Sequence, residues 1–529
     1  MFKPANPSAR FWVGASCWQL ALILLVAFAL RMISLKWSEA NTYGSQGDSL
    51  EACEVAVSYL NGDERAHYIG QPNFNAHSKL PGPLWTIFCA AGIKLTGTPQ
   101  GIVLLTIFAN LLAIALTWWL TLELFGSTAA LAGTSFMAVS PWVVHDSAVV
   151  FNPAPMPLFG ALIFTAALCC FRQDKSRAIA LVPFLILAGA QFHLSVLGLI
   201  LPLVLLAWLS QMKPNWAWFC IGLVAGVLCY VPYMEGEIAH HWQNTRGMLW
   251  GGSSRFSSSA LKVFTSPLCF LVNYWSPGWA YAPGENATLA REAFGSLAGL
   301  YAAYIVSGLF AGLALAGALK IIADALRGFW VAPHDAFSRA PGVFICAGTL
   351  LIYLLQNLIG GKPFHARYCL VVLPLQFVLA GAGVAKWLET PLYRKFVLPL
   401  MVFILASNLW FVVAICRFER DRISSGSVFV PGFGRLESIY RQLKAYPQAT
   451  GRIEIHDWDY LKSLPADDKL SHNAALIRHY VELRERASHS QGPRSKKATA
   501  YLLRPAVAMD ATNSAVAFSG SGITLIALP

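Results

Sequence analysis

The sequence predicts a polytopic α-helical membrane protein with about eleven transmembrane helices and a small α/β domain at its C-terminus. Of the 529 residues, 56% are hydrophobic and only 12% are charged, whereas a soluble globular protein carries about a quarter charged residues. The apolar residues lie in runs close to the length that a helix needs to cross a bilayer core. The end of the chain is more polar and shows short strand and helix patterns.

Eleven segments are predicted to span the membrane within a transmembrane region over residues 1–416. Lys3 and Arg10 precede the first span, so the positive-inside rule places the N-terminus in the cytoplasm. The same rule holds for the later loops only if the apolar stretch 83–95 does not cross. That stretch is too short to span and is predicted to lie as an interfacial helix in the first external loop. The predicted spans are 11–30, 102–124, 128–143, 155–171, 178–193, 195–210, 216–234, 294–320, 342–360, 369–386 and 396–416.

This topology places three long segments on the external side, at residues 31–101, 235–292 and 417–529. In a bacterial cell the protein would lie in the inner (plasma) membrane, with the last segment in the periplasm. The last segment is predicted to form a small soluble α/β domain. Its predicted strands are 452–456, 499–503 and 522–528, and its predicted helices are 435–445 and 473–487.

The net charge of +12 is explained by Lys and Arg in short loops between spans. No basic stripe with interleaved aromatic residues is present, so membrane lipids are the expected partners and nucleic acid is not. The cysteines form no CxxC pair, which argues against a zinc or redox motif. His240 and His241 lack a third ligand at a suitable spacing, so no metal site is predicted.

The first external loop contains residue types suited to an active site. Asp48 stands soon after the first span, at the start of a helical pattern. Lys79 precedes a proline-rich turn, and Glu51 and His77 are further candidates for substrate contact in the same loop. Each of the two main residues also has a plainer interpretation. Asp48 can cap its helix, and Lys79 can extend its ammonium group to the membrane surface.

This layout resembles the membrane glycosyltransferases of the GT-C superfamily, and within it the protein O-mannosyltransferase and aminoarabinose-transferase branch. Those enzymes place an Asp-Glu pair early in the first external loop and a Lys-Pro-Pro-Leu-x-x-Trp-like element later in it. Here Asp48 matches the first acidic position and Lys79 the lysine. The remaining matches are Pro81, Pro83, Leu84 and Trp85, the end of the third span at Ser140-Pro141, and Arg367-Tyr368 before a Leu-Pro span.

The sequence departs from this pattern at several positions. Ser49 stands where the family has the second acidic residue. After the Ser-Pro element the family often has an Arg and then an Asp, and this chain has His145, Asp146 and then Asn152. These departures leave the identities of the sugar and the acceptor open.

The resemblance implies an enzyme that moves a sugar from a polyprenyl-phosphate donor to a lipid, glycan or protein acceptor. Asp48 would be the general base for the acceptor hydroxyl, and cations would stabilise the departing phosphate. One carboxylate is enough for a single inverting displacement, whereas hydrolases need two. The resemblance implies no cofactor, and a role for a divalent cation stays open.

Lys362 and Arg367 are predicted to join Lys79 in binding the donor phosphate, because the topology places both on the external side. The planar guanidinium group of Arg suits phosphate oxygens, although anchoring the end of a span is an equally plain role. His365 and Tyr368 lie beside Arg367 and are candidates for substrate binding or for packing.

His145 and Asp146, at the end of the third span, are candidates for a second polar wall of the cavity.

Two other classes of protein fit parts of the pattern. A transporter or lipid flippase would carry charges in the middle of its spans and internal repeats, and few of the first and none of the second are evident. A non-catalytic assembly protein would use the C-terminal segment as its binding module.

Overall fold

The structure is a computed structural model that describes most of the helical region and parts of the C-terminal segment. The described residues are 9–37, 48–72, 79–172, 176–250, 297–359, 366–424, 433–445, 452–456, 480–486, 498–505, 516–520 and 523–527.

The described residues are mostly helical, with four 3₁₀ turns and one π-helical turn between the α-helices. The α-helices are α1 (Ala9–Trp37), α2 (Asp48–Leu60), α3 (Leu84–Thr96), α4 (Gln100–Phe125), α5 (Ser127–Val139), α6 (Pro141–Ser147), α7 (Met156–Arg172), α8 (Leu181–Ala190), α9 (Ile200–Leu209), α10 (Trp216–Leu228), α11 (Val231–Ala239), α12 (Gln243–Trp250), α13 (Leu297–Leu326), α14 (Pro333–Arg339), α15 (Thr349–Ile359), α16 (Leu373–Leu388), α17 (Pro391–Ser424) and α18 (Phe433–Ala445), with a three-residue helix at Pro341–Val343. The 3₁₀ turns are Glu64–His67, Arg177–Ala180, Leu194–Leu199 and Ala366–Val372, and the π-helical turn is Phe344–Gly348.

Among the described residues, five helices are long and apolar enough to cross a membrane, and three bent pairs raise the number to eight. The other three predicted spans coincide with apolar helices that are shorter than a full span. The number eleven therefore stays a prediction. The five helices are Cys17–Leu35, Gln100–Phe125, Gly308–Leu326, Tyr368–Leu388 and Pro391–Ala414, the bent pairs are α5 with α6, α10 with α11 and Pro333–Arg339 with Pro341–Gln356, and the shorter helices are Met156–Arg172, Arg177–Ala190 and Leu194–Leu209.

Helix α16 lies at the centre of the helical region and is almost wholly buried. It packs closely against α5 and α13 because glycines face the neighbouring backbones. A Cβ at Gly381 would collide with Gly133, and one at Gly383 would lie 2.8 Å from Ala318 N. Small residues at helix contacts let backbones approach closely in a membrane, where dispersion contacts replace the hydrophobic effect. Backbone contact at these glycines therefore sets the close spacing of α16 from α5 and α13.

The third predicted span is broken by Pro141. Helix α5 ends at Val139, and α6 continues from Pro141 at an angle of 58°. Proline has no N–H and its ring clashes with the preceding turn, so a helix breaks where proline occurs and a new one can begin with it. The bend turns the chain into the segment 148–155, which forms part of the candidate site.

The first loop folds as helix α2, two short strands and helix α3. Strands β1 (Ile69–Pro72) and β2 (Lys79–Pro81) pair antiparallel. Helix α3 coincides with the predicted non-crossing stretch 83–95. It has 13 residues, and it buries Trp85, Cys89 and Ile93 against its neighbours α2 and α4.

The described part of the C-terminal segment has four strands in one mixed sheet, with the order β3-β4-β6-β5. Strands β3 and β4 are parallel, whereas β6 is antiparallel to both β4 and β5. Three of the strands coincide with those predicted, and α18 coincides with the predicted helix 435–445. The second predicted helix is described at 480–486. The strands are β3 (Arg452–His456), β4 (Ala498–Pro505), β5 (Val516–Gly520) and β6 (Ile523–Ala527).

Candidate active site at the first loop

Helix α2 begins at Asp48, against the wall formed by residues 148–155. Ser49 is fully buried, and its hydroxyl donates a hydrogen bond to the carbonyl of Val150 over 2.8 Å. The side chain of Asp48 lies outside the described residues. Its backbone is fixed by the neighbouring serine, so the predicted base is on a helix start that is tied to a second segment of the chain.

The same wall continues to the segment that carries Arg367. The amide of Asn152 donates to the carbonyl of Phe192 over 2.8 Å. Next to it, the His193 ring lies 5.5 Å from the Tyr368 ring, measured between centroids. Tyr368 therefore joins the wall, and the side chain of Arg367, which precedes it in the 3₁₀ turn Ala366–Val372, lies outside the described residues.

Tyr353 on α15 contacts the backbones of two segments of this wall. Its side chain is buried, and its hydroxyl lies 2.9 Å from the carbonyl of Ser195 and 2.6 Å from the carbonyl of Tyr368. A phenol has a single proton to donate, so the two carbonyls share it. The backbones of the segments 192–195 and 366–372 are thereby held together.

Lys79 is the first residue of β2, and its side chain is exposed. In the strand pair it lies opposite Pro72. The backbone of Lys79 bonds to the buried side chain of Asn244. The Lys79 N–H donates to Asn244 Oδ1 over 2.6 Å, and Asn244 Nδ2 donates to the Lys79 carbonyl over 3.1 Å.

The proline-rich turn after Lys79 is held by Gln191. This side chain is fully buried; its Oε1 accepts the N–H of Leu84 over 3.2 Å, and its Nε2 donates to the carbonyl of Cys229 over 3.0 Å. The turn approaches it so closely that a Cβ on Gly82 would lie 2.5 Å from Gln191 Cδ. Gly82 also has φ of +99°, a conformation that favours glycine. The sequence Pro81-Gly82-Pro83 thus forms a rigid turn beside Lys79.

The first loop also packs on α11 through Tyr68. The Tyr68 ring stacks on His240 with 5.5 Å between centroids, and it lies against the backbone of Gly236. Burial raises the pKa of the Tyr68 hydroxyl, with nearby carboxylates adding to the shift and Arg65 opposing it. The phenol therefore stays neutral and serves as a packing group at this contact.

The remaining predicted residues fall into three places. Glu51 lies on α2, half-buried, one turn after Asp48. His145 and Asp146 lie on α6 with Nδ1 and Oδ1 3.4 Å apart, and the edge of Trp142 packs on the histidine. Three predicted residues, His77, Lys362 and His365, lie outside the described residues.

The structure adds a buried cation that the sequence pattern did not single out. Arg31 was predicted to begin the first loop, whereas α1 continues to Trp37 and buries Arg31 completely. Its Nη1 donates to the carbonyls of Ala27 and Ala138 over 3.0 and 3.1 Å. Within the described part of the chain its Nε and Nη2 have no hydrogen-bond partner. The carbonyl of Ala138 lies where α5 breaks, which gives Arg31 a part in fixing the bend.

Among the described residues, no group of three His, Cys, Asp or Glu is placed to hold a metal ion.

No family model matches the sequence, and no curated protein matches it. Among solved structures, ArnT from Cupriavidus metallidurans bound to undecaprenyl phosphate aligns with a TM-score of 0.57 at 14% identity, covering 98% of each chain. The apo structure of the same protein aligns with a TM-score of 0.56 at 13% identity, again covering 98% of each chain.

The agreement covers the helical region and the C-terminal segment alike, since almost none of either chain is left out. At this level of identity the likeness concerns the fold. It confirms the resemblance on which the first-loop motifs were interpreted. Over nearly its whole length, this chain therefore is a multi-pass membrane protein with the fold of ArnT.

Proposed function

We propose that this protein transfers a sugar from a polyprenyl-phosphate donor to an acceptor hydroxyl on the external side of the membrane. The observation that carries the proposal is the set of contacts between the start of α2 and the segment around Arg367. Ser49 bonds to Val150, and Asn152 bonds to Phe192, next to the ring contact with Tyr368. These contacts support the proposal, because they join the chain segments that carry Asp48 and Arg367.

The proposed reaction is one displacement at the anomeric carbon. Asp48 takes the proton of the acceptor hydroxyl, and the oxygen attacks the anomeric carbon from the face opposite the phosphate. The bond between that carbon and the phosphate oxygen breaks, and the polyprenyl phosphate leaves. A single carboxylate suffices for this step, and the configuration of the sugar is inverted.

The departing phosphate gains negative charge and needs cations beside it. Lys79, Lys362 and Arg367 are the proposed ligands. The exposed side chain of Lys79 and the rigid turn that follows it support its part. A preorganised cation stabilises the leaving group without having to reorder at the moment of reaction.

Further proposed contacts surround this centre. Glu51, His77, His145, Asp146, His365 and Tyr368 are the candidates for binding the sugar or the acceptor. The polyprenyl chain would lie between spans, and the N-terminus would be cytoplasmic, with residues 417–529 in the periplasm.

The C-terminal domain would shape the access of the acceptor. Support for this comes from an ion pair of 2.6 Å between Arg486 and Glu54 on α2, and from a hydrogen bond of Arg484 to the carbonyl of Gly97. The domain thereby contacts the helix that begins with Asp48.

The donor class is supported by the fold. The ArnT structure that aligns over nearly the whole chain is bound to undecaprenyl phosphate. We therefore expect a polyprenyl phosphate or its sugar adduct to copurify with this protein, and mass spectrometry of extracted lipid would detect it.

The test of the mechanism is Asp48→Asn. The variant keeps the size and polarity of the side chain and loses the base, so we expect normal folding and a loss of transfer of about 10²–10⁴-fold. The matched control is Asp63→Asn, because Asp63 is an exposed carboxylate of the same loop that caps the 3₁₀ turn Glu64–His67. Transfer is followed by mass spectrometry as loss of the lipid-linked sugar after addition of cell-envelope extract as the acceptor source. Wild-type transfer by Asp48→Asn would refute the mechanism.

A further inference from the structure

Asn244 stands outside the first loop, yet it is the residue that holds the backbone of Lys79. Both main-chain groups of Lys79 bond to its side-chain amide, at 2.6 and 3.1 Å. In a strand, the N–H and C=O of one residue point to the same edge. The amide thus takes the place of a neighbouring strand at one edge of β2.

The side chain of Asn244 is itself held in a fixed orientation. Its Nδ2 donates to the hydroxyl of Tyr233 over 3.1 Å, and that hydroxyl lies 2.8 Å from Thr245 Oγ1. The Lys79 N–H can only donate and the Lys79 carbonyl can only accept, so these two groups determine which end of the amide is oxygen and which is nitrogen. Asn244 is nearly fully buried, so exchange of its partners for water would require the turn between α11 and α12 to open.

A buried carboxylate caps the start of α12, where Asn244 lies. Glu237 is 1% exposed, and its two oxygens accept the N–H groups of Asn244 and Thr245 over 3.2 and 2.7 Å. These are N–H groups of the first turn of α12, where a negative charge is stabilised by the helix dipole. His241 and Trp242 have φ of +55° and +60°, which is costly for residues other than glycine. The hydrogen bonds to Glu237 hold this strained turn in place, and they thereby fix the residue at which α12 begins.

We infer that Asn244 is a positioning residue for Lys79, and that it sets the place of the Lys79 ammonium group toward the donor phosphate. The inference has two halves. The structural half is that Asn244 fixes the backbone of Lys79, and it stands on the contacts alone. The functional half is that this places the ammonium group toward the donor phosphate, and it rests on the proposed function. Asn244 contacts no reacting atom and acts through the backbone of β2. The signal in the sequence would have been a polar residue close after span 216–234, which no local pattern distinguishes from other loop residues.

The structural half is tested by hydrogen exchange of the purified full-length protein. In Asn244→Ala the Lys79 N–H has no partner, so we expect its exchange to become at least about tenfold faster. The matched control is Asn215→Ala, which removes an amide that caps α10 at another loop and leaves the exchange of Lys79 unchanged. Unaltered protection of Lys79 in Asn244→Ala would overturn the inference.

The functional half is tested by a double-mutant cycle in the binding of undecaprenyl phosphate. Loss of two hydrogen bonds predicts that Asn244→Ala weakens binding by about tenfold. Because Lys79 is also proposed to stabilise the departing phosphate, the turnover at saturating donor should fall as well. In the Lys79→Ala background the same substitution should change binding by less than about twofold, because the ammonium group is already absent.

The outcomes separate the inference from the proposed function. Equal weakening in both backgrounds would mean that Asn244 does not act through Lys79, which overturns the inference alone. Binding of undecaprenyl phosphate that is the same in Lys79→Ala and wild type would refute the phosphate role of Lys79, and with it the functional half of the inference.

Discussion

The turn at Gly82 allows a prediction whose size follows from the structure. In Gly82→Ala the new Cβ would lie 2.5 Å from Cδ of Gln191 and closer still to its oxygen. Gln191 is buried and bonded at both ends of its amide, to Leu84 N–H and to the Cys229 carbonyl. It can make room only by giving up those bonds.

Two terms then add. A side chain at φ of +99° costs about 1–2 kcal/mol. The two lost hydrogen bonds cost about 1 kcal/mol each, so the free energy of unfolding should fall by about 3–4 kcal/mol. The matched control is Gly62→Ala. Gly62 has φ of +80° and nothing within 4 Å of the added Cβ, so only the strain of about 1–2 kcal/mol applies.

The assay is unfolding in mixed micelles, with the fraction folded measured by tryptophan fluorescence as the denaturing detergent increases. A third variant, Gln191→Ala combined with Gly82→Ala, isolates the collision. In the Gln191→Ala background Gly82→Ala should cost only the strain, because no side chain remains to be displaced. Equal losses for Gly82→Ala and Gly62→Ala would refute the argument, as would a cost of Gly82→Ala that does not depend on Gln191.

Two further predictions concern buried groups away from this turn. Tyr353→Phe removes the proton shared by the carbonyls of Ser195 and Tyr368, so unfolding should become easier by about 1–2 kcal/mol; an unchanged unfolding midpoint in the same assay would contradict it. Burial raises the pKa values of Cys53 on α2 and Cys89 on α3 above the ordinary thiol value of 9.0, so both should resist a maleimide at pH 8 until the protein is unfolded, as peptide mass spectrometry would show. Because the raised pKa keeps these thiols protonated in the folded state, their contribution to stability should be lost as the pH rises above 9.0, and a flat stability profile there would contradict this reasoning.

Hydropathy and charge predicted the elements of this fold well, because their signals are local. Every predicted span coincides with a helix or a bent pair of helices, and the short stretch 83–95 is the helix α3. Breaks inside spans were not predicted. The bend at Pro141 follows from a residue that was in view, but its angle of 58° depends on how α6 packs against α1 and α17.

Contacts between residues far apart in the chain could not be predicted from the sequence, because local patterns do not mark them. The pairing of Asn244 with Lys79 joins residues 165 positions apart, and no periodicity marks either end of it. The sequence predicts Arg31 as a loop residue, because a charge usually ends a span. The structure shows that α1 buries this charge, which the apolar pattern on either side could not distinguish from an exposed position.

Two of the residues at which the sequence departs from the resembled pattern have a common physical role. Ser49 stands where the GT-C enzymes have a carboxylate, and Asn152 follows the Ser-Pro element in the region where they often have an Arg and then an Asp. Here both donate hydrogen bonds to carbonyl oxygens, of Val150 and Phe192. An ionised carboxylate cannot donate, and one buried at position 49 beside a carbonyl would carry an uncompensated desolvation cost. The neutral residues thus join the start of α2 to the wall of the site, and they leave Asp48 as the carboxylate at that helix start. A single base on a fixed backbone is what the proposed inverting displacement requires.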